Sequence, residues 1–106
     1  MIIHNAIFQL NPALTQQQID ELGQAFLGMK DRIPTIRDIS WHDNITDEPL
    51  HHDFMHVLRV VFDDKAGLDT YVPHPYHAEI CEKYLLPALK SDVQTSVLVL
   101  DHELAD

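Results

Sequence analysis

The sequence has 106 residues, 45% of them hydrophobic, with 17 acidic and 7 basic side chains and a formal net charge of −10. This length predicts one domain, residues 1–106, that buries roughly two-thirds of the surface exposed by its unfolded chain. The charge argues against nucleic acid and anionic membranes as partners, and because the N-terminus has no features of a secretory leader and the apolar runs are short, we expect a cytoplasmic protein.

The first third of the chain predicts a strand followed by a helix. Residues 2–10 have apolar side chains at both alternating parities, which indicates a strand covered on both faces. Thr15 and Gln18 have the spacing of a capping box, which places the start of the helix directly after Thr15. The apolar stripe of this helix comprises Ile19, Leu22, Phe26, Met29 and Ile33. Pro34 should end it.

Two further strands are predicted next. Residues 35–43 alternate moderately, and the polar loop 44–53 separates them from a stronger strand over residues 54–62. On this third strand one face carries Phe54, His56, Leu58, Val60 and Phe62, and the other carries Met55, Val57, Arg59 and Val61. The pattern again indicates a strand buried on both faces.

The last third predicts helical segments and a closing strand. Asp63 and Asp64 can cap a short helix that ends at Tyr71, and Pro75 suits the first position of the next helix. The inward stripe of that helix comprises Ile80, Cys81, Tyr84 and Leu85. Pro87 should kink or restart it, and residues 93–101 should form the fourth strand. The order β-α-β-β-α-β predicts an α+β, ferredoxin-like protomer with a four-stranded antiparallel sheet.

Two helices can cover only one face of such a sheet. The uncovered face would carry the apolar side chains Ile3, Ile7, Val57 and Val61. Because monomers rarely expose large apolar patches and most oligomers are symmetric, these residues predict a homodimer. The alternative is a monomer with a partly exposed sheet face.

Eight histidines need an explanation in this acidic chain. Parity places His4 and His56 on the helix-facing side of the sheet, and His77 lies in the first turn of its helix. There both burial and the helix dipole favour a neutral imidazole, which is a competent general base. We hypothesise that His77 abstracts a proton α to a carbonyl while Tyr71, with His4 or His56, stabilises the oxyanion.

These side chains are expected to line a cleft between the helices and the sheet. We predict that this cleft binds a small, largely apolar ligand. Its expected walls are Phe8, Phe26, Met29, Leu58 and Tyr84, with His74 at its edge. An alternative interpretation treats His4, His56 and Tyr71 as hydrogen-bonded core polar groups and His74 as the cap of the helix that it precedes.

A metal site is the competing interpretation of the histidines. His52 with His56, or His74 with His77, could supply ligands, but neither spacing is specific. We therefore predict no metal and no cofactor, and interpret His42, His51, His52 and His102 as surface residues. Cys81 lies on the inward stripe of its helix and has no basic neighbour, so it is interpreted as core packing rather than as a nucleophile. As the single cysteine it excludes an intrachain disulfide.

Several motifs together resemble the stress-responsive dimeric α+β barrel domain family. They are Met1-Ile2-x-His4, Ile33-Pro34, Phe54-x-His56, Tyr71-x-x-His74-Pro75-x-His77 and a Val-rich last strand ending in Asp101. The resemblance implies that two protomers pack their sheets face to face as a dimeric α+β barrel. In the olivetolic acid cyclase branch of the family, the essential histidines and tyrosine match His4, His56, Tyr71, His74 and His77. Where that cyclase has a second tyrosine, this chain has Phe26.

The sequence and the resemblance leave two functions of different class open. One is a small homodimeric stress-response-type protein that binds a ligand without turnover. The other is a cofactor-independent cyclase, isomerase or lyase that uses His77 and Tyr71. A monooxygenase-like site built from Asn5, Trp41 and His77 is a third reading, based on analogy of fold alone.

Overall fold

The computed structural model describes residues 1–105, and its strands form one antiparallel sheet. The strands are β1 (Ile2–Phe8), β2 (Ile36–Asp43), β3 (His56–Phe62) and β4 (Val97–Glu103). Their spatial order is β2-β3-β1-β4, so the two most apolar strands lie at the centre. This is the ferredoxin-like arrangement that the sequence predicts.

The α-helices precede or follow these strands as the sequence pattern indicates. These are α1 (Gln16–Leu27), α2 (Lys65–Tyr71) and α3 (Pro75–Ile80), and a further short helix, α4 (Val93–Ser96), is not predicted by the sequence. The capping box is confirmed, because the Gln18 backbone N–H donates to Thr15 Oγ1 over 3.2 Å and the Thr15 N–H donates to Gln18 Oε1 over 2.8 Å. Within the described residues no helix is both long enough and apolar enough to cross a membrane.

The main core lies between the helices and one face of the sheet. Its central side chains come from β1, β3 and α1 and include Phe8, Leu58, Val60, Phe62, Leu22 and Phe26. Phe8 and Phe26 stack with their ring centroids 5.7 Å apart. Burial of large apolar side chains of this kind stabilises the fold by about 1.5–3 kcal/mol each.

Two predicted boundaries in the first third differ from the structure. β1 ends at Phe8 rather than at residue 10, and Leu10 forms only an isolated bridge with Leu89. Helix α1 ends at Leu27 and continues as a 3-10 turn over Gly28–Asp31, although its last stripe residues Met29 and Ile33 are fully buried. The tighter turn brings these side chains to the core before Pro34 forces an extended backbone.

The predicted start of the fourth strand, at residue 93, is wrong. Val93–Ser96 is the short helix α4, and the strand begins at Val97. Asp92 Oδ1 accepts the Thr95 backbone N–H over 2.9 Å, and the buried Ser96 hydroxyl accepts the Ser91 N–H over 2.9 Å. These local side-chain bonds give the backbone an alternative to the ladder, which the apolar pattern alone does not reveal.

The opposite face of the sheet is apolar and carries no helix of the protomer core. Ile3 and Val61 are buried there, and Ile7 and Val57 are partly buried. On the edge strand β4, Leu98 is 50% exposed and Leu100 is 55% exposed. Register places both on this face, since Leu98 pairs with Ile7 and Leu100 with Asn5.

Candidate functional site

His77 and Tyr71 are in direct contact. Tyr71 is the last residue of α2 and is 1% exposed, whereas His77 lies in the first turn of α3 and is partly exposed. Their ring centroids are 4.3 Å apart, with an angle of 37° between the planes. The short link between the helices, with Pro75 fixing the start of α3, therefore places an imidazole against a phenol.

The hydrogen bonds of His77 define its tautomer. Nδ1 lies 2.9 Å from the Val72 carbonyl oxygen, which can only accept, so Nδ1 carries the proton. Nε2 of the neutral ring is therefore unprotonated and can only accept. Burial lowers the pKa of His77, while the bond to Val72 acts in the opposite direction. At neutral pH the ring is thus a neutral base.

Tyr71 is a proton donor because burial disfavours its charged form, as it does for His77. Burial, with a smaller contribution from Cys81, raises the pKa of its hydroxyl. The phenol therefore stays protonated at neutral pH. A protonated phenol beside a neutral imidazole is an arrangement suited to acid–base chemistry.

His4 completes this group from the sheet side. It is 7% exposed, its ring meets Tyr71 edge-on at 5.6 Å, and its Nδ1 pairs with Asp101 Oδ1. Register explains the pairing, because Asp101 lies directly opposite His4 on the neighbouring strand β4. The structure therefore brings together His4, Tyr71 and His77.

His56 does not join them. In the ladder of β1 and β3 it pairs with Phe8, whereas His4 pairs with Val60, so the two histidines are four residues apart along the strands. That separation is about 13 Å at about 3.3 Å per residue. The ring of His56 stacks on Trp41 at 5.7 Å instead. Parity correctly predicts its face but not its position along the sheet.

Near His56 the structure has a separate cleft of about 290 Å³. Leu10, Leu14 and Met55 contribute apolar lining, and Asp53 and Lys90 contribute charged groups. His56 Nδ1 lies 3.2 Å from Asp43 Oδ1, but this buried nitrogen makes no hydrogen bond within residues 1–105.

The expected ligand walls are mostly core residues. Phe8, Phe26, Met29 and Leu58 are fully buried and pack in the same cluster, and whether they touch a ligand stays a prediction. The prediction that Tyr84 lies on the inward stripe is wrong, because its side chain is 36% exposed. The helix becomes π-helical over Cys81–Leu85, which changes the side-chain period, so Tyr84 faces α1 and solvent rather than the histidines.

His74 acts as a helix cap. Its Nδ1 accepts the backbone N–H of Tyr76 over 3.0 Å at the start of α3. This geometry supports the capping interpretation made from the sequence. It orients the helix that carries His77 and leaves a ligand contact for His74 as a prediction.

Sequence reasoning missed one neighbour of His77. Cys81 Sγ lies 3.4 Å from His77 Nε2, so the statement that this cysteine has no basic neighbour is wrong. The spacing of four residues on one helix is the signal that could have found it. Burial raises the pKa of the Cys81 thiol to about 11, so the sulfur remains protonated.

The competing site types find little geometric support. Within the described part of the chain no group of three or more His, Cys, Asp or Glu side chains could hold a metal ion. Asn5 lies on the sheet face opposite His4, and Trp41 packs against His56, so the monooxygenase-like set of Asn5, Trp41 and His77 does not converge.

The sheet order, the helices on one face and the apolar opposite face define a ferredoxin-like protomer of the α+β barrel class. A family model described as the Stress responsive A/B Barrel Domain (Dabb) matches residues 2–103. The chain therefore belongs to the stress-responsive A/B barrel domain family.

Two curated proteins are similar to this chain over most of its length. The olivetolic acid cyclase of Cannabis sativa is 21% identical over 81 residues, which cover 76% of this chain and 80% of the cyclase. A stress-response A/B barrel domain-containing protein of Arabidopsis thaliana is 23% identical over 100 residues, covering 94% of this chain and 86% of that protein.

Solved structures share the fold. The crystal structure of an Arabidopsis thaliana protein superposes with a TM-score of 0.87 at 22% identity, covering 100% of this chain and 97% of that one. A dimeric ferredoxin-like protein of unknown function from Jannaschia sp. CCS1 has a TM-score of 0.80 at 21% identity, covering 97% and 98% of the two chains. The hydroxynitrile lyase of Passiflora edulis also has a TM-score of 0.80, at 18% identity, covering 99% and 94%.

Proposed function

We propose that this protein is a cofactor-independent enzyme of the cyclase, isomerase or lyase type that acts on a small, largely apolar carbonyl compound. The observation that carries the proposal is the orientation of His77. Its Nδ1–H is held by the Val72 carbonyl and its ring lies against Tyr71, so a neutral base and a protonated donor are adjacent.

The proposed reaction begins when His77 Nε2 removes a proton from the carbon next to the carbonyl. The electron pair of the broken C–H bond moves onto the carbonyl oxygen, and the Tyr71 hydroxyl donates a hydrogen bond to that oxygen. The resulting carbon nucleophile either adds to a second carbonyl of the same molecule, whose oxygen then takes the proton from the imidazolium, or is itself reprotonated by the imidazolium. Both routes return His77 to its neutral form. No redox partner is needed.

His4 would help to stabilise the negative charge on the substrate oxygen. Its pairing with Asp101 fixes the ring beside Tyr71, so His4 can stabilise negative charge that develops near the phenol. The ring centroid of Phe62, a fully buried core residue, lies 5.3 Å from that of Tyr71, so the phenol ring packs in an apolar environment. His77 is partly exposed, and a substrate would reach Nε2 by displacing the Cys81 thiol that contacts it.

The similar proteins give independent support for catalysis by this fold. Among them, one is named a cyclase and another a hydroxynitrile lyase. Both names denote enzymes, and neither identity exceeds 21%, so they support the class of protein rather than a particular substrate.

We also propose that the protein is a homodimer. The face of the sheet without helices would pack against that of a second copy through Ile3, Ile7, Val57 and Val61, with Leu98 and Leu100 at its edge. Similar structures are described as dimeric, including the Jannaschia protein. The arrangement leaves His77, on the helix side, accessible in both copies.

Ligand binding without turnover is the second candidate. The cleft beside His56 favours it, because apolar walls with a few polar groups suit a small ligand. Trp41 is stacked on His56, so its fluorescence would report binding there. Binding without any reaction would identify this candidate.

The test of the enzyme proposal measures exchange of carbon-bound protons. The probes are cyclohexanone, phenylacetone and benzoylacetone, incubated with protein in deuterium oxide and followed by NMR. We expect the wild-type protein to accelerate exchange at the α-carbon of at least one probe. His77→Asn should lower that rate by about a hundred-fold or more, because it removes the base.

Two further variants define the controls. Tyr71→Phe keeps the ring and its packing but removes the hydroxyl, and should lower the rate by about 10²–10³. His42→Asn changes an exposed histidine whose Nε2 bonds to Ser40 Oγ, and should leave the rate unchanged. Exchange that is absent with all probes, or that survives His77→Asn, would contradict the proposal.

A further inference from the structure

The region around His77 contains a thiol that the proposed reaction does not use. Cys81 follows His77 by four residues, where α3 passes into the π-helical turn, and its sulfur lies 3.4 Å from His77 Nε2. Both residues are partly buried. The contact involves the nitrogen that the proposed base needs.

The direction of this hydrogen bond follows from the other side of the ring. Since Nδ1 carries the proton and donates to Val72, neutral Nε2 can only accept. The S–H of Cys81 must therefore be the donor. Burial raises the pKa of the thiol to about 11 and lowers that of His77, so the pair is a neutral thiol and a neutral imidazole rather than two ions.

We propose that Cys81 is a positioning residue for His77: its thiol donates to Nε2, holds the ring in place between Val72 and Cys81, and opposes protonation until a substrate displaces it. The role in a reaction rests on the proposed function. The hydrogen bond and its effect on protonation do not, because they are properties of the protein alone.

Other groups that face His77 are common to every variant of Cys81. They are Tyr71 from α2, His4 from β1 and His74 at the start of α3. Tyr71 is neutral, and positive charge on His4 or His74 lowers the pKa of His77. A change measured on replacing Cys81 therefore reports the thiol itself.

The experiment is an NMR titration of the His77 ring in wild type and in Cys81→Ser, Cys81→Ala and Cys81→Val. Cys81→Ala removes the donor and leaves space that water can enter, whereas Cys81→Val removes the donor and fills most of that space. Comparing the two separates the effect of the lost hydrogen bond from the effect of added water. Cys81→Ser keeps a donor. Because the chain has one cysteine, the S–H stretching band of the wild-type protein gives a second, unambiguous measurement.

We expect the titration midpoint of His77 to rise by about half to one pH unit in both Cys81→Ala and Cys81→Val, the equivalent of one lost hydrogen bond. Cys81→Ser should stay near wild type. The S–H band should lie at lower frequency in the folded than in the unfolded chain.

A midpoint unchanged in Cys81→Val, or an S–H band equal in folded and unfolded protein, would overturn the proposal. A rise in Cys81→Ala alone would also overturn it, since it would indicate hydration. If these shifts are seen while no probe undergoes exchange, the proposed function fails and the role of Cys81 in setting His77 protonation stands.

Discussion

At the scale of single residues, the chemistry depends on the two nitrogens of His77 being treated differently. Nδ1 donates a hydrogen bond to the Val72 carbonyl, and Nε2 accepts one from the Cys81 thiol. Tyr71 remains protonated because it is buried. His77 is therefore unprotonated at Nε2 and ready to accept a proton from a substrate, and Tyr71 keeps the proton with which it donates a hydrogen bond.

The lowered pKa of His77 also affects stability. In the unfolded chain its pKa is near 6.5, and in the folded protein it is lower, so between these values the unfolded chain binds more protons. The free energy of unfolding should therefore fall as the pH drops below about 6.5. Urea titrations at neutral and mildly acidic pH should show that His77→Asn loses part of this dependence.

His42→Asn serves as the control for that measurement, because His42 is exposed. It should retain the wild-type dependence on pH. An equal loss of stability on acidification in wild type and in His77→Asn would contradict the assignment of a buried neutral imidazole.

At the scale of elements, helix α1 and strand β2 approach closely at Gly23. A Cβ built there would lie 2.5 Å from Trp41 Cδ1 and 2.8 Å from Nε1, so glycine lets the indole pack flat against the helix. Trp41 in turn lies 5.5 Å from the ring of Phe26 and 5.7 Å from that of His56. The close approach thus places Trp41 in contact with both the core ring of Phe26 and the ring of His56.

Gly23→Ala should destabilise the fold by about 1–2 kcal/mol, since overpacking outweighs the better helix propensity of alanine. Gly28→Ala is the matched control, because nothing lies within 4 Å of its Cβ position and its φ of −64° suits any residue. It should be neutral or stabilising by about 0.5 kcal/mol. Equal urea midpoints for the two variants would show that the approach of Trp41 is not tight.

The order of the helices and strands and the face on which each side chain lies could be predicted from this sequence. The residues at which several of these elements begin or end could not. Thr15, Asp64 and Pro75 mark helix starts by side-chain chemistry, and the structure has each at its predicted place. The helix over Val93–Ser96 depends on a cap and on a buried serine that apolar periodicity does not show. In the site, spacing predicted Tyr71 beside His77, but position along a strand separates His56 from them.

At the scale of the whole molecule, the sheet has one face covered by helices and one that the protomer leaves apolar. Leu98 and Leu100 are half-exposed on that second face, next to the partly buried Ile7 and Val57. Face-to-face packing of two such sheets, about 10 Å apart, would bury all four. The complete core would then belong to two chains.

Light scattering should accordingly give wild-type protein twice the 12.2 kDa mass of one chain. Leu100→Glu places a charge in the proposed interface, at a side chain already exposed in the protomer, and should yield folded monomers. Leu86→Glu, at a leucine 47% exposed on the helix side, should remain dimeric. A monomeric wild type, or a dimeric Leu100→Glu, would contradict the proposed interface.

The central claim is that neutral His77 is the base, and the same α-proton exchange followed as a function of pH tests it most directly. The rate should rise with pH through a midpoint below the ordinary value for histidine, because only the neutral ring accepts a proton. That midpoint should coincide with the NMR titration of His77 in the same sample. A rate independent of pH across the titration of His77, or a midpoint that differs from it, would contradict the account.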